Sequence, residues 1–124
     1  MILSNMGLRN TIYKVAVLEQ AKAWYASAFQ TDPYFDAPGY VGFNIGGYEL
    51  GLLPSDLPPE SKTANVCTYW GVEDMDEEIA RLVALGAVMT EAPTNVGGPI
   101  MVAMVTDPWG NALGLIYNPT FKLG

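Results

Sequence analysis

Thr106-Asp107-Pro108-Trp109-Gly110-Asn111-Ala112-Leu113-Gly114-Leu115-Ile116-Tyr117 is the stretch that decides how the chain is read. Pro108 fixes its own φ, the Asp107 side chain can bond the backbone two residues on, and Gly110 or Asn111 tolerates positive φ. The segment from Asp107 to Asn111 is therefore a tight turn. An apolar, strand-length segment follows it, which makes a β-hairpin corner with the last strand running away. Glu49-Leu50-Gly51-Leu52-Leu53 has the same Leu-Gly-Leu centre. Two copies of one strand suggest a duplicated unit.

Outward from these strands, the period of the apolar residues supplies the other elements. Leu8 to Val17 alternates and reads as a strand, with Asn10, Ile12 and Lys14 on one face and Thr11, Tyr13, Val15 and Val17 on the other. Leu18, Ala21, Trp24, Tyr25 and Ala28 recur at helical spacing, so Leu18 to Phe29 is a helix, stopped by Thr31-Asp32-Pro33. Strands over Tyr34 to Ala37, Tyr40 to Ile45 and Tyr48 to Leu53 follow, with a two-residue hairpin turn at Gly46-Gly47. After a linker rich in proline and serine the pattern restarts. Ala64 to Val72 is a strand. Asp74 and Glu77 form a capping box for a helix striped by Met75, Ile79, Leu82 and Val83, and Gly86 stops it. Ala87 to Glu91 is a strand, Ala92 to Pro99 a loop, and Ile100 to Thr106 with Ala112 to Tyr117 the hairpin. Val15 matches Val72, 57 positions on (15 to 72), and Gly51 matches Gly114, 63 positions on (51 to 114). The surplus falls on the loop at Thr94 to Pro99.

The expected architecture is thus α+β: two βαβββ modules in a single domain over 1–124. Module one covers about 8–53, the linker 54–63 and module two about 64–117.

Composition excludes several classes. The net charge of −7, with six scattered basic residues, argues against nucleic acid. No apolar run approaches membrane-spanning length. The first ten residues lack a basic region followed by an apolar core, so no signal peptide is expected. The one cysteine, Cys67, allows no intrachain disulfide and suits a reducing compartment, so the expected location is cytoplasmic. There is no histidine, which removes the commonest metal ligand and the commonest general base at neutral pH.

Three stretches in this order resemble the vicinal oxygen chelate superfamily, which includes glyoxalase I, bleomycin-resistance proteins and extradiol dioxygenases. They are Leu18-Glu19-Gln20-Ala21-Lys22-Ala23-Trp24-Tyr25, Val72-Glu73-Asp74-Met75-Asp76, and the corner Asp107-Pro108-Trp109-Gly110-Asn111. The resemblance spans Leu8 to Tyr117. It implies sheets curled into a cup with helices outside, and a homodimer. It also implies four metal positions. The first, usually His, falls on Asn10. The second, usually Glu or another polar ligand, falls on Gly51. The third, usually His, falls on Cys67, and the fourth, usually Glu, on Gly114. Two glycines donate no side chain, and Asn10 with Cys67 cannot hold a catalytic divalent ion, which needs about three protein ligands. The expectation is a cup with neither metal nor other cofactor.

By strand parity the cup is lined by Asn10, Ile12, Lys14, Glu49, Gly51, Leu53, Cys67, Tyr69, Ala112, Gly114 and Ile116, an apolar hollow with a few polar points. The two glycines would leave volume in it. Lys14 reads as an anchor for an anionic ligand or a base if desolvated, or else as a structural partner of Glu49 or a side chain that reaches out to water. Cys67 has no histidine to activate it and reads more simply as a small buried hydrophobe. The acidic run at Glu73 to Glu78 suits a helix N-terminus and lacks the spacing of a calcium loop. The first functional reading is a protein that binds a small organic molecule without metal, its catalytic residues, if any, unknown. The alternative is a glyoxalase-like lyase or dioxygenase-type enzyme with an atypical or absent metal site, using Glu49, Asn10 and Cys67, or Lys14, Tyr69 and Glu49.

Overall fold

The computed structural model describes residues 10–56 and 67–120. The chain divides between Ser55 and Asp56 into two compact units, and each repeats one order of elements. The first contains β1 (Asn10–Val15), α1 (Leu18–Phe29), β2 (Phe35–Ala37), β3 (Tyr40–Ile45) and β4 (Tyr48–Pro54). The second contains β5 (Tyr69–Gly71), α2 (Met75–Ala84), β6 (Val88–Gly97), β7 (Ile100–Thr106) and β8 (Ala112–Tyr117). Each unit is one four-stranded mixed sheet, ordered β1-β4-β3-β2 or β5-β8-β7-β6. In both, the first strand pairs in parallel with the last and the other pairs are antiparallel. This is the α+β arrangement of two βαβββ modules that the sequence implied.

The duplication extends to single residues. Ile12 stands opposite Gly51, and Tyr69 stands opposite Gly114. The same two spacings, 57 (12 to 69) and 63 (51 to 114), that align the sequences therefore align the ladders. The surplus residues of the second module lie in its longer β6–β7 hairpin.

Local chemistry sets the element ends. No side chain caps α1, because extended Val17 has none to offer. The helix ends at Gln30 in the left-handed region, with φ of 54°, and the N–H groups of Gln30 and Thr31 both donate to the Ala26 carbonyl. At α2 the expected cap is present: the Glu77 N–H donates to the Asp74 carboxylate at 3.1 Å. Gly46 and Gly47, with φ of 60° and 93°, make the β3–β4 turn that only primed geometry allows.

Each helix covers one face of its own sheet. In the first unit Tyr13, Val15, Val41, Phe43, Leu50 and Leu52 meet Ala21, Tyr25 and Ala28, with Tyr13 stacked on Tyr25. In the second, Ala103, Val105, Leu113 and Leu115 are buried, as are Met75, Ile79 and Leu82 of α2. Parity does the sorting: every second residue along a strand points to the helix.

Four expectations change. The region from Ala92 to Gly97 is not a loop but the continuation of β6. Pro93 lacks an N–H, yet β6 is an edge strand whose register slips between Met89 and Glu91, Glu91 and Thr94, and Asn95 and Gly97, and bulged edges tolerate proline. Val83 is exposed, so the apolar stripe of α2 is narrower than its sequence suggests. Tyr34 stands outside β2, although its N–H still donates to Gly42. The fifth strand runs only from Tyr69 to Gly71, so Cys67, Thr68 and Val72 of the expected strand stand outside it, while Ala64 to Val66, most of the linker and Leu8 lie outside the described residues.

The Asp107 corner is built as read. Asp107 is 4% exposed. Its Oδ1 accepts from the N–H groups of Trp109 (2.9 Å) and Asn111 (2.8 Å), and its Oδ2 accepts from the Asn111 amide at 3.0 Å. Gly110 takes φ of 84°. One carboxylate thus satisfies three donors that the turn would otherwise leave without partners. We expect Asp107→Ala to lower stability by about 2–3 kcal/mol, the scale of losing charged hydrogen bonds to buried N–H groups. Urea unfolding of the intact chain measures it, and a loss below about 0.5 kcal/mol would show that the corner is replaceable.

Candidate functional site

The face of the first sheet turned away from α1 carries Asn10, Ile12 and Lys14 from β1 and Glu49, Gly51 and Leu53 from β4, as parity required. The register pairs Asn10 with Glu49, Ile12 with Gly51, and Lys14 with Leu53. β3 adds Tyr40, Gly42 and Asn44 to this face, and β2 adds Phe35 and Ala37. Polar side chains converge at one end of it. The hydroxyls of Tyr34 and Tyr40 each donate to the Glu49 carboxylate, one to each oxygen. The Asn10 amide donates to both Glu49 and Tyr40.

Two bare backbone positions let the rings lie there. A β-carbon on Gly51 would run into the Tyr40 hydroxyl and come within 2.7 Å of its Cζ. One on Gly42 would touch the rings of both Tyr40 (3.3 Å) and Tyr34 (3.4 Å). The volume expected over Gly51 is therefore filled by Tyr40.

These contacts polarise the group. Hydrogen bonds from Tyr34, then Tyr40, hold the Glu49 carboxyl below its ordinary range, against a smaller opposing effect of burial. Burial, then the bond to Glu49, pushes the Tyr40 phenol up to about 12. The bond to Glu49 also raises Tyr34.

In the second unit Tyr69, Gly114 and Ile116 share the face turned from α2, with Gly114 opposite Tyr69 and Ile116 opposite Gly71. Here too a ring lies over the glycine. A β-carbon on Gly114 would come within 2.6 Å of Tyr69 Cδ1 and 2.7 Å of the Thr68 carbonyl oxygen. Cys67 is exposed, contrary to its reading as a small buried hydrophobe. It lies just before β5, where the chain has not yet entered the ladder. Trp70 and Leu115 form the opposite pair, toward the helix side.

The sequence reading missed Tyr34 and Tyr40. Tyr40 was within reach, since it shares the parity of Gly42 and Asn44. Tyr34 was not, because it reaches Glu49 from outside a strand. Among the described residues, no three His, Cys, Asp or Glu side chains stand together as a metal-binding group.

Residues 10–115 match the Glyoxalase/Bleomycin resistance protein/Dioxygenase superfamily, and the chain belongs to it. Solved structures with the same fold include a glyoxalase-related enzyme from Fulvimarina pelagi, 18% identical with a TM-score of 0.75, over 97% of this chain and 94% of that one. The fosfomycin resistance protein FosX from Listeria monocytogenes, solved with Mn(II) and sulfate, is 16% identical with a TM-score of 0.75, over 96% of this chain and 94% of that one. A family member from Burkholderia phytofirmans PsJN is 17% identical with a TM-score of 0.71, over 87% of this chain and 95% of that one. The curated proteins contain no match. Among the described residues no helix is long and apolar enough to cross a membrane.

The two glycines make a contrasting pair of tests. Gly51→Ala meets only the far end of a side chain, which can swing away, whereas Gly114→Ala meets backbone at Thr68. We expect Gly114→Ala to cost about 1–3 kcal/mol and Gly51→Ala less, with chemical denaturation as the measurement. Gly51→Ala should also release Tyr40 toward its ordinary ionisation. In the parent protein the raised Tyr40 stabilises the fold fully below about pH 10, its unfolded value, and that contribution is lost as pH rises through about 12. Tyr40→Phe should remove that alkaline loss, which stability measured across this window will show.

Proposed function

We propose that this protein binds a small organic molecule in the sheet faces turned from its helices, without the divalent metal usual in its superfamily. The observation that carries the reading is the tyrosine ring over each glycine. By the resemblance, Gly51 and Gly114 fall on two of the superfamily's metal-ligand positions, and Tyr40 and Tyr69 lie where a side chain at these positions would start. The remaining donors, Asn10 and Cys67, are a poor set for a catalytic divalent ion. Glu49 is close by, but its oxygens already accept from Tyr34, Tyr40 and Asn10.

The alternative, a lyase or dioxygenase-type enzyme of the same fold, receives less support from the site. A general acid or base works best with a pKa near the operating pH. The Glu49 cluster moves both partners the other way, the carboxyl down and the Tyr40 phenol up. That favours a fixed recognition element over a proton carrier. The ligand-contacting residues we assign are Asn10, Ile12, Lys14, Glu49, Gly51 and Leu53 in the first module and, taken separately, Cys67, Tyr69, Gly114 and Ile116 in the second. We place the protein in the cytoplasm as a homodimer, on the strength of its single cysteine and the habit of its superfamily.

Native mass spectrometry of untagged protein, with and without added Mn(II), tests the reading; a histidine tag would supply false ligands. The expected result is a dimer that takes up no stoichiometric Mn(II) and carries or accepts an organic mass. Stoichiometric metal that survives buffer exchange would overturn it and direct attention to Asn10, Glu49 and Cys67.

A further inference from the structure

The first sheet's open face combines two features that are each ordinary alone. One is a carboxylate whose partners among the described residues are all neutral. Tyr34, Tyr40 and Asn10 supply hydrogen bonds to Glu49 but no positive charge, and Glu49 makes no ion pair among the described residues. Among the described residues, the nearest cation along this face by register is Lys14, four residues along β1 from the Asn10–Glu49 pair. At about 3.3 Å per residue that is roughly 13 Å away. The other feature is an aromatic wall. Tyr34 and Phe35 are 62% and 48% exposed, and Phe35 meets Tyr40 with ring centroids 6.1 Å apart and planes tilted by 51°. Gly42 and Gly51 let the rings lie against bare backbone beside the carboxylate.

We infer that this face recognises an organic ammonium ion, with the cationic head set against Glu49 and the faces of Tyr34, Phe35 and Tyr40. The proposal rests on the small-molecule reading above and names the chemistry of its guest.

A quaternary or alkylated ammonium is attracted to aromatic faces by the ring quadrupole and cannot be satisfied by hydrogen bonds alone. A carboxylate with its lone pairs mostly taken by phenols offers such a cation charge without competing for N–H donors. An anionic guest would face Glu49 directly. A neutral guest would leave that charge uncompensated as it is covered. The net charge of −7 works in the same direction at long range, concentrating cations near the surface. Tyr34 and Tyr40 also have a role here beyond packing: they fix the carboxylate between their rings, so the charge does not reorganise when the guest arrives.

The test is titration of the intact, untagged protein with choline, with its uncharged isostere in which carbon replaces nitrogen, and with benzoate, followed by NMR at the ring signals of Tyr34 and Phe35. Choline should bind at least about tenfold more tightly than the isostere, and benzoate should not bind. Glu49→Gln, which keeps the side chain's shape, should remove most of that preference. Tyr40→Phe, which keeps the ring but removes one hydrogen bond that holds the carboxylate, should weaken choline binding. It should leave a smaller preference than the parent shows and a larger one than Glu49→Gln does, and thermal melts of both variants will confirm that they fold. Equal binding of choline and isostere, or a preference for benzoate, would overturn the cation assignment while leaving a binding face. The assignment would also fall if no probe bound while native spectra still showed a retained organic mass.

Discussion

The constraint on which both modules depend is the parallel pairing of a first strand with a last one. β1 beside β4, and β5 beside β8, cannot be joined by a tight turn. The chain must leave the sheet and return, and it does so through a helix that covers one face only. That face becomes the core, where Tyr13, Phe43, Leu50 and Leu52 meet Tyr25, and where Leu113 and Leu115 are buried in the unit of α2. Among the described residues the other face of each sheet has no helix of its own unit, and that is the face on which we propose binding takes place.

Glycine at the middle of each last strand shapes that second face. A glycine inside a strand usually weakens it, and its use is to let another group approach the backbone closely. At Gly51 and Gly114 the approaching group is a tyrosine ring from a neighbouring strand. In the first module Tyr40 bridges from Gly51 to Glu49, so the loss of a side chain at one position and the fixing of a carboxylate two residues earlier are one event. The resulting cluster is ionised, neutral-partnered and flanked by exposed rings. Those properties suit recognition of a ligand better than transfer of a proton.

The sequence alone determined the modules, the two helices, the hairpin at Gly46-Gly47 and the Asp107 corner. Each depends on contacts within a few residues: a period of 3.6 or 2, a left-handed glycine, or an aspartate bonding nearby N–H groups. It also determined which residues of β1 and β4 share a face, because strand alternation is a local property. Where proline and glycine suggested a loop, at Ala92 to Gly97, only the sheet could show that an edge position with bulges accommodates them.

The tertiary structure decided what occupies the open face. Tyr34 lies 15 residues before Glu49 and Tyr40 lies nine before it, distances across which no periodicity speaks. Their convergence required β3 to fold back along β4 and set Gly42 beside Gly51. The two glycines read from sequence as empty space. Whether a missing side chain leaves a hollow or a seat for a neighbour depends on what the next strand carries, and strand order belongs to the fold.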